Sequence, residues 1–80
     1  MVTLSDLFLL FDEFRRAAGI PETTLSSRIY DESKKIALLR ERGERNLSVE
    51  RYNHTLRYLS SHWPAGAVWP EHIDRPRVLA

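Results

Sequence analysis

Leu4, Leu7, Phe8, Phe11, Phe14 and Ala18 recur at the spacing of one helical face, and Gly19 and Pro21 then break the pattern off. An apolar stripe of this kind has to be covered by the rest of the chain. The spacing predicts a helix over 4–18, with Thr3 as N-cap, Asp6 in the first turn and Gly19 and Pro21 as the stop. With 80 residues in all, there is room for one small core and little else. Chains of this size are commonly stapled by disulfides, a metal or a second subunit. No cysteine is present, which removes disulfides, thiolate zinc sites and cysteine nucleophiles together. Association with a second copy is the staple that remains.

Later segments are shorter. Pro21–Tyr30 reads as a helix with proline in its first turn, Glu22 at the positive end of its dipole, and Leu25 and Ile29 facing inward. Asp31 and Glu32 interrupt it. A third helix is expected from about Glu32 to Arg42, ended by Gly43. Ile36 and Leu39 form its inward stripe, flanked by Ala37 or Leu38. After a loop over 43–47, Ser48 caps a fourth helix. Val49, Tyr52, Leu56 and Leu59 carry its apolar face, and it reaches Trp63 before Pro64 stops it. Pro64, Pro70, Pro76 and Gly66 forbid a long helix beyond that point. Yet Val68, Trp69, Ile73, Val78 and Leu79 make the segment too apolar for a free linker. It is expected to pack as an arm, on its own domain or on a second copy. No stretch of the domain proper reads as a strand. The fold expected is therefore all-α, a bundle of four to five helices over residues 1–63 with an irregular C-terminal arm over 64–80.

Hydrophobic content of 42% with 29% charged residues suits a globular rather than a disordered chain. The longest apolar run, Leu7–Phe11, is far short of a membrane span. Asp6, Asp12 and Glu13 surround it and no basic stretch precedes it, unlike a signal peptide. A cytoplasmic location with no membrane partner is expected. His54, His62 and His72 lack metal-ligand spacing, Ser26 and Ser27 lack an evident base, and there is no glycine-rich phosphate loop. Neither catalysis nor a metal, cofactor or small-molecule effector is expected.

Charge is the informative property. The net value is +1, but residues 1–31 carry three basic and five acidic side chains, residues 32–58 seven and four, and residues 59–80 two of each. Positive charge gathers in the middle third, which suits an anionic partner. Two short helices, a tight break and a basic third segment are the parts of a helix-turn-helix, whose second helix lies in the DNA major groove. Ser33, Lys34 and Lys35 stand at the start of that second helix, where side chains reach base edges. Arg28, Arg40, Arg42 and Arg45 stand within reach of flanking phosphates.

The stretch GIPETTLSSRIYDESKKIALLRERGERNLSVERYNHTLRYL resembles the Cro-like (XRE-type) helix-turn-helix regulators, over about residues 4–60. Ile36 and Leu39 match the buried pair of that family's recognition helix. LRERGERNLSVERY matches its ending, the basic loop and the next helix start. The resemblance implies a sequence-specific DNA-binding transcriptional regulator of repressor type, from a bacterium, phage or mobile element. It would bind double-stranded DNA as a homodimer on a palindrome-like operator, with half-sites about one turn of DNA apart. Phosphate contacts would come from Thr23, Thr24, Arg42, Arg45 and Asn46. Dimer contacts would come from Tyr58, His62 and Trp63 of the fourth helix and Val68, Trp69, Ile73 and Val78 of the arm.

Alternatives stay open at this point. A second register makes Glu22–Tyr30 the recognition helix, with Thr23, Thr24, Ser27 and Arg28 facing the bases. Lys34, Lys35, Arg40 and Arg42 could be a solvated helix face, and Trp63 and Trp69 a cover for the core. Two other functions fit the same pattern. One is a protein-interaction module that masks a transcription factor (an antiactivator). The other is an excisionase-like architectural DNA-binding factor, which would need a strand pair in the arm.

Overall fold

A computed structural model describes residues 4–43, 48–73 and 75 of the chain. Four helices account for its regular structure: α1 (Leu4–Ala18), α2 (Glu22–Tyr30), α3 (Lys35–Arg42) and α4 (Val49–Ser61). No strand occurs among the described residues, so the all-α class holds. No described helix is long and apolar enough to cross a membrane.

α1 has the bounds its stripe predicts, although Thr3 lies outside the described residues. Gly19 ends it at a φ of +68°, a conformation glycine adopts without a Cβ penalty. This lets the Gly19 and Ile20 N–H groups both return to the Arg15 carbonyl, at 2.8 and 3.3 Å. Leu7 and Phe11 are fully buried and Phe14 nearly so, whereas Leu4 and Phe8 are half-buried and Ala18 is exposed. Leu10 is also fully buried. It sits between Leu7 and Phe14 at helical spacing and widens the covered face beyond the predicted stripe.

Pro21 precedes α2 and its carbonyl accepts from the N–H groups of Thr24 and Leu25. α2 ends at Asp31, which takes the left-handed conformation (φ 57°, ψ 30°) and returns its N–H to the Ser27 carbonyl at 2.9 Å. Aspartate tolerates that conformation better than most side chains. α3 then begins at Lys35 rather than near Glu32. The reason is tertiary. Ser26 is fully buried, donates its hydroxyl to the Glu32 carbonyl at 2.5 Å and accepts the Ile36 N–H at 3.1 Å. The segment 32–34 is thereby held as a turn, and only at Lys35 does the helix start. Ile36 and Leu39 are fully buried, as predicted.

Ser48 caps α4 by accepting the Arg51 N–H at 3.2 Å. The helix stops at Ser61, short of Trp63, and its inward face differs from the predicted one. Val49 is 77% exposed, Leu59 is buried, and Thr55 is fully buried between Tyr52 and Leu59. Thr55 replaces Val49 because it has two polar partners that a valine would leave unmet. Its hydroxyl donates to the Arg51 carbonyl at 2.7 Å and accepts from the Tyr30 hydroxyl at 2.6 Å. Burial pushes the Tyr30 phenol above its ordinary value near 10, against the Thr55 hydrogen bond and the Arg51 charge. A phenol whose folded pKa is raised contributes stability in full below its unfolded value and loses it as pH climbs through the folded one. Between pH 9 and pH 11 the melting temperature is therefore expected to fall further in the wild type than in Tyr30→Phe. Parallel falls in circular-dichroism melts would refute this.

The arm packs on its own domain. Its described part, 64–73 and 75, forms two proline-led turns, with Ala67 N–H on the Pro64 carbonyl and Ile73 N–H on the Pro70 carbonyl. The Trp63 ring sits edge-on to Phe14 at 6.0 Å and to Trp69 at 4.8 Å. Both indole N–H groups are satisfied within the arm, Trp63 on the Ala67 carbonyl and Trp69 on the Ile73 carbonyl. Ile73 is 3% exposed and belongs to the same core cluster as Leu7, Phe11, Leu25, Ile36 and Leu59. Arg75 lies over the Trp69 ring at 5.3 Å and bonds both the hydroxyl and the carbonyl of Ser60. His72 donates to Asp6 at 3.1 Å. The arm thus runs back along α1 toward its first turn.

Candidate nucleic-acid interface

The first turn of α2 and the turn before α3 meet at one open concavity of about 360 Å3, lined by Thr23, Thr24, Ser27, Arg28 and Ser33. Helical geometry explains the grouping on α2, since Thr23, Thr24, Ser27 and Arg28 fall at i, i+1, i+4 and i+5 on one side. Ser26, between them in sequence, points the other way and anchors the turn that carries Ser33. The residues of the two competing registers are therefore neighbours in space. Thr23, Ser27, Arg28, Ser33 and Lys34 are exposed, while Thr24 and Lys35 are half-buried. Ser33 and Lys34 stand in the turn immediately before α3, not within it, and Lys35 is the first helical residue.

Arg40 departs from expectation. Its guanidinium donates to Glu22 Oε1 at 2.6 Å and to Asp12 Oδ1 at 2.8 Å, and lies 4.7 Å from the centre of the Phe8 ring. Partial burial works against its charged form. The hydrogen bond and charge of Glu22, joined by those of Asp12, outweigh that and raise its pKa above the ordinary arginine value. The residue ties α1, α2 and α3 together through its Nε and one terminal nitrogen. Expected at a phosphate, it is held here by two carboxylates of its own chain. Arg42 is exposed at the last position of α3. Arg45 and Asn46, also expected at phosphates, lie outside the described residues.

Among the residues expected at a dimer contact, Trp63, Trp69 and Ile73 are engaged by their own chain. Val68 is 75% exposed. Tyr58 is half-buried and stacks on the exposed His62 with ring centres 4.1 Å apart. Val78 lies outside the described residues. The histidines are all partnered within the chain: His54 Nε2 with the Ile29 carbonyl at 2.9 Å, His62 Nδ1 with the Tyr58 carbonyl at 3.0 Å, and His72 with Asp6.

Sequence reading missed Ser26 as the residue that positions the turn. The only signal for it was its place beside Leu25 on the inward side of α2. Ser26→Ala leaves the Ile36 N–H and the Glu32 carbonyl without their partner in a buried place, which costs about 1–3 kcal/mol. Urea titration of the two proteins measures it, and a loss below about 0.5 kcal/mol, the scale of an ordinary surface change, would deny the anchoring role. No family model, curated protein or solved structure matches this chain.

Proposed function

We propose that the chain is a sequence-specific DNA-binding transcriptional regulator, with the start of α3 in the major groove and the first turn of α2 on the sugar–phosphate backbone. The observation that carries this reading is the concavity shared by Thr23, Thr24, Ser27, Arg28 and Ser33, with Lys34 and Lys35 following Ser33 in sequence. Hydroxyls and a guanidinium are the donors that duplex phosphates accept, and short side chains at a helix start can follow base edges into the groove. Ser33, Lys34 and Lys35 read bases; Thr23, Thr24, Arg28 and Arg42 hold phosphates. The excisionase-like alternative loses ground, because described residues 64–73 of the arm form turns and not a strand pair.

A homodimer on a palindrome-like operator is part of the proposal. With Ile73 buried and Trp63 and Trp69 packed against their own chain, the second copy meets the chain through Tyr58, His62 and Val68. The test is fluorescence anisotropy of the protein against its own upstream DNA and a scrambled duplex, at two salt concentrations, since phosphate affinity falls steeply with salt. Preference for the native fragment that survives moderate salt supports a specific regulator. Absence of salt-sensitive affinity for either duplex refutes the reading and favours a protein-masking module.

A further inference from the structure

A second concavity, also of about 360 Å3, opens between the end of α2 and the first turns of α4; Ser27, Arg28, Tyr30, Asp31, Arg51 and His54 contribute to its walls. Ser27 and Arg28 line both concavities, so the two lie side by side along α2, with these residues shared between them. Arg28 and Arg51 are exposed, and neither guanidinium makes an ion pair or hydrogen bond among the described residues. Asp31, the carboxylate in the lining, is paired with neither. This contrasts with Arg40, whose donors are met by Glu22 and Asp12.

The backbone that carries Arg51 is fixed on both sides, its N–H on the Ser48 hydroxyl and its carbonyl on the Thr55 hydroxyl. His54 stands one turn further along the same face of α4. Its Nε2–H donates to the Ile29 carbonyl in the last turn of α2, setting α4, and with it Arg51, against the end of α2. The result is two guanidinium forks at the rim of one cleft with no hydrogen-bond or ion-pair acceptor among the described residues. A planar fork is the donor that best matches a phosphate oxygen pair.

We propose that this cleft is a phosphodiester site for the DNA backbone, with Arg51 and Arg28 as the binding residues and His54 as a positioning residue. It rests on the DNA-binding reading above. A strand crossing the hydroxyl-lined concavity brings its following phosphates, about 3.4 Å further along the axis each time, to Arg28 and then to Arg51. The site lengthens the footprint on the backbone and carries no base information.

The experiment uses the full chain and measures Kd between 50 and 200 mM salt on the native upstream duplex and on a scrambled one. Arg51→Met keeps the aliphatic stem and both backbone anchors, and circular-dichroism melts check that it folds as the wild type does. It is expected to weaken binding about tenfold on both duplexes alike and to make the plot of log Kd against log salt shallower by about 0.9, the share of one phosphate. Arg51→Lys, which restores the charge, should recover most of the slope. A wild-type slope in Arg51→Met, with Lys34→Ala/Lys35→Ala still impaired, overturns this site and leaves the DNA-binding reading intact. A wild-type protein without salt-dependent affinity overturns both.

Discussion

Trp69→Ala is expected to destabilise the protein by about 3 kcal/mol, the lower end of the range for truncating a packed tryptophan because this one is half-buried. The indole packs on Trp63, donates to the Ile73 carbonyl and carries the Arg75 guanidinium over its face. Removing it undoes three contacts at once and loosens Ile73, which the core cluster needs. A domain of 80 residues has roughly 4–12 kcal/mol of stability in total, so the variant would keep only a fraction of its margin. Urea denaturation followed by tryptophan fluorescence and circular dichroism measures the loss. A midpoint within error of the wild type would mean that the arm only decorates the helices.

Lys34→Ala/Lys35→Ala is expected to act in the opposite sense, leaving stability nearly unchanged and removing function. Lys34 is exposed in the turn and Lys35 opens α3 half-buried, and Ile36 and Leu39 keep the helix in place behind them. Each base contact of this kind discriminates by about 1–3 kcal/mol, so the pair accounts for roughly 2–6 kcal/mol of specific affinity. Anisotropy should show the native duplex falling toward the affinity of the scrambled one. If specific binding persists in full, base reading belongs to Thr23, Thr24 and Ser27 on α2, and α3 is the supporting helix.

The parts of this fold legible in the sequence are those set by local rules. The bounds of α1 follow from its stripe and from Gly19 and Pro21, and the start of α4 follows from Ser48. Contacts distant in sequence decide what was not legible. The start of α3 depends on Ser26 reaching six residues to the Glu32 carbonyl and ten to the Ile36 N–H. Arg40 looks like a solvated helix residue until Asp12 and Glu22, 28 and 18 positions away, come into reach. Thr55 displaces Val49 from the covered side of α4 only because the Tyr30 hydroxyl is waiting there. The arm's apolar composition required a covering surface without saying whose, and its pairing with α1 supplies the answer. For the candidate interface, the sequence offered two rival registers. It could not indicate that Ser33 and the exposed side of α2 border the same space, since that depends on how tightly the turn closes.

The return of the arm to α1 has a consequence for biosynthesis. Asp6 and His72 are 66 positions apart, and Ile73 sits in the same cluster as Leu7. A nascent chain on the ribosome cannot close its core until residue 73 has cleared the exit tunnel, however early α1 forms. Shortened products that lack the arm leave the part of the cluster that Ile73 covers open to proteases and chaperones, and the last residue of the core arrives only after nearly all of the described chain has been synthesised.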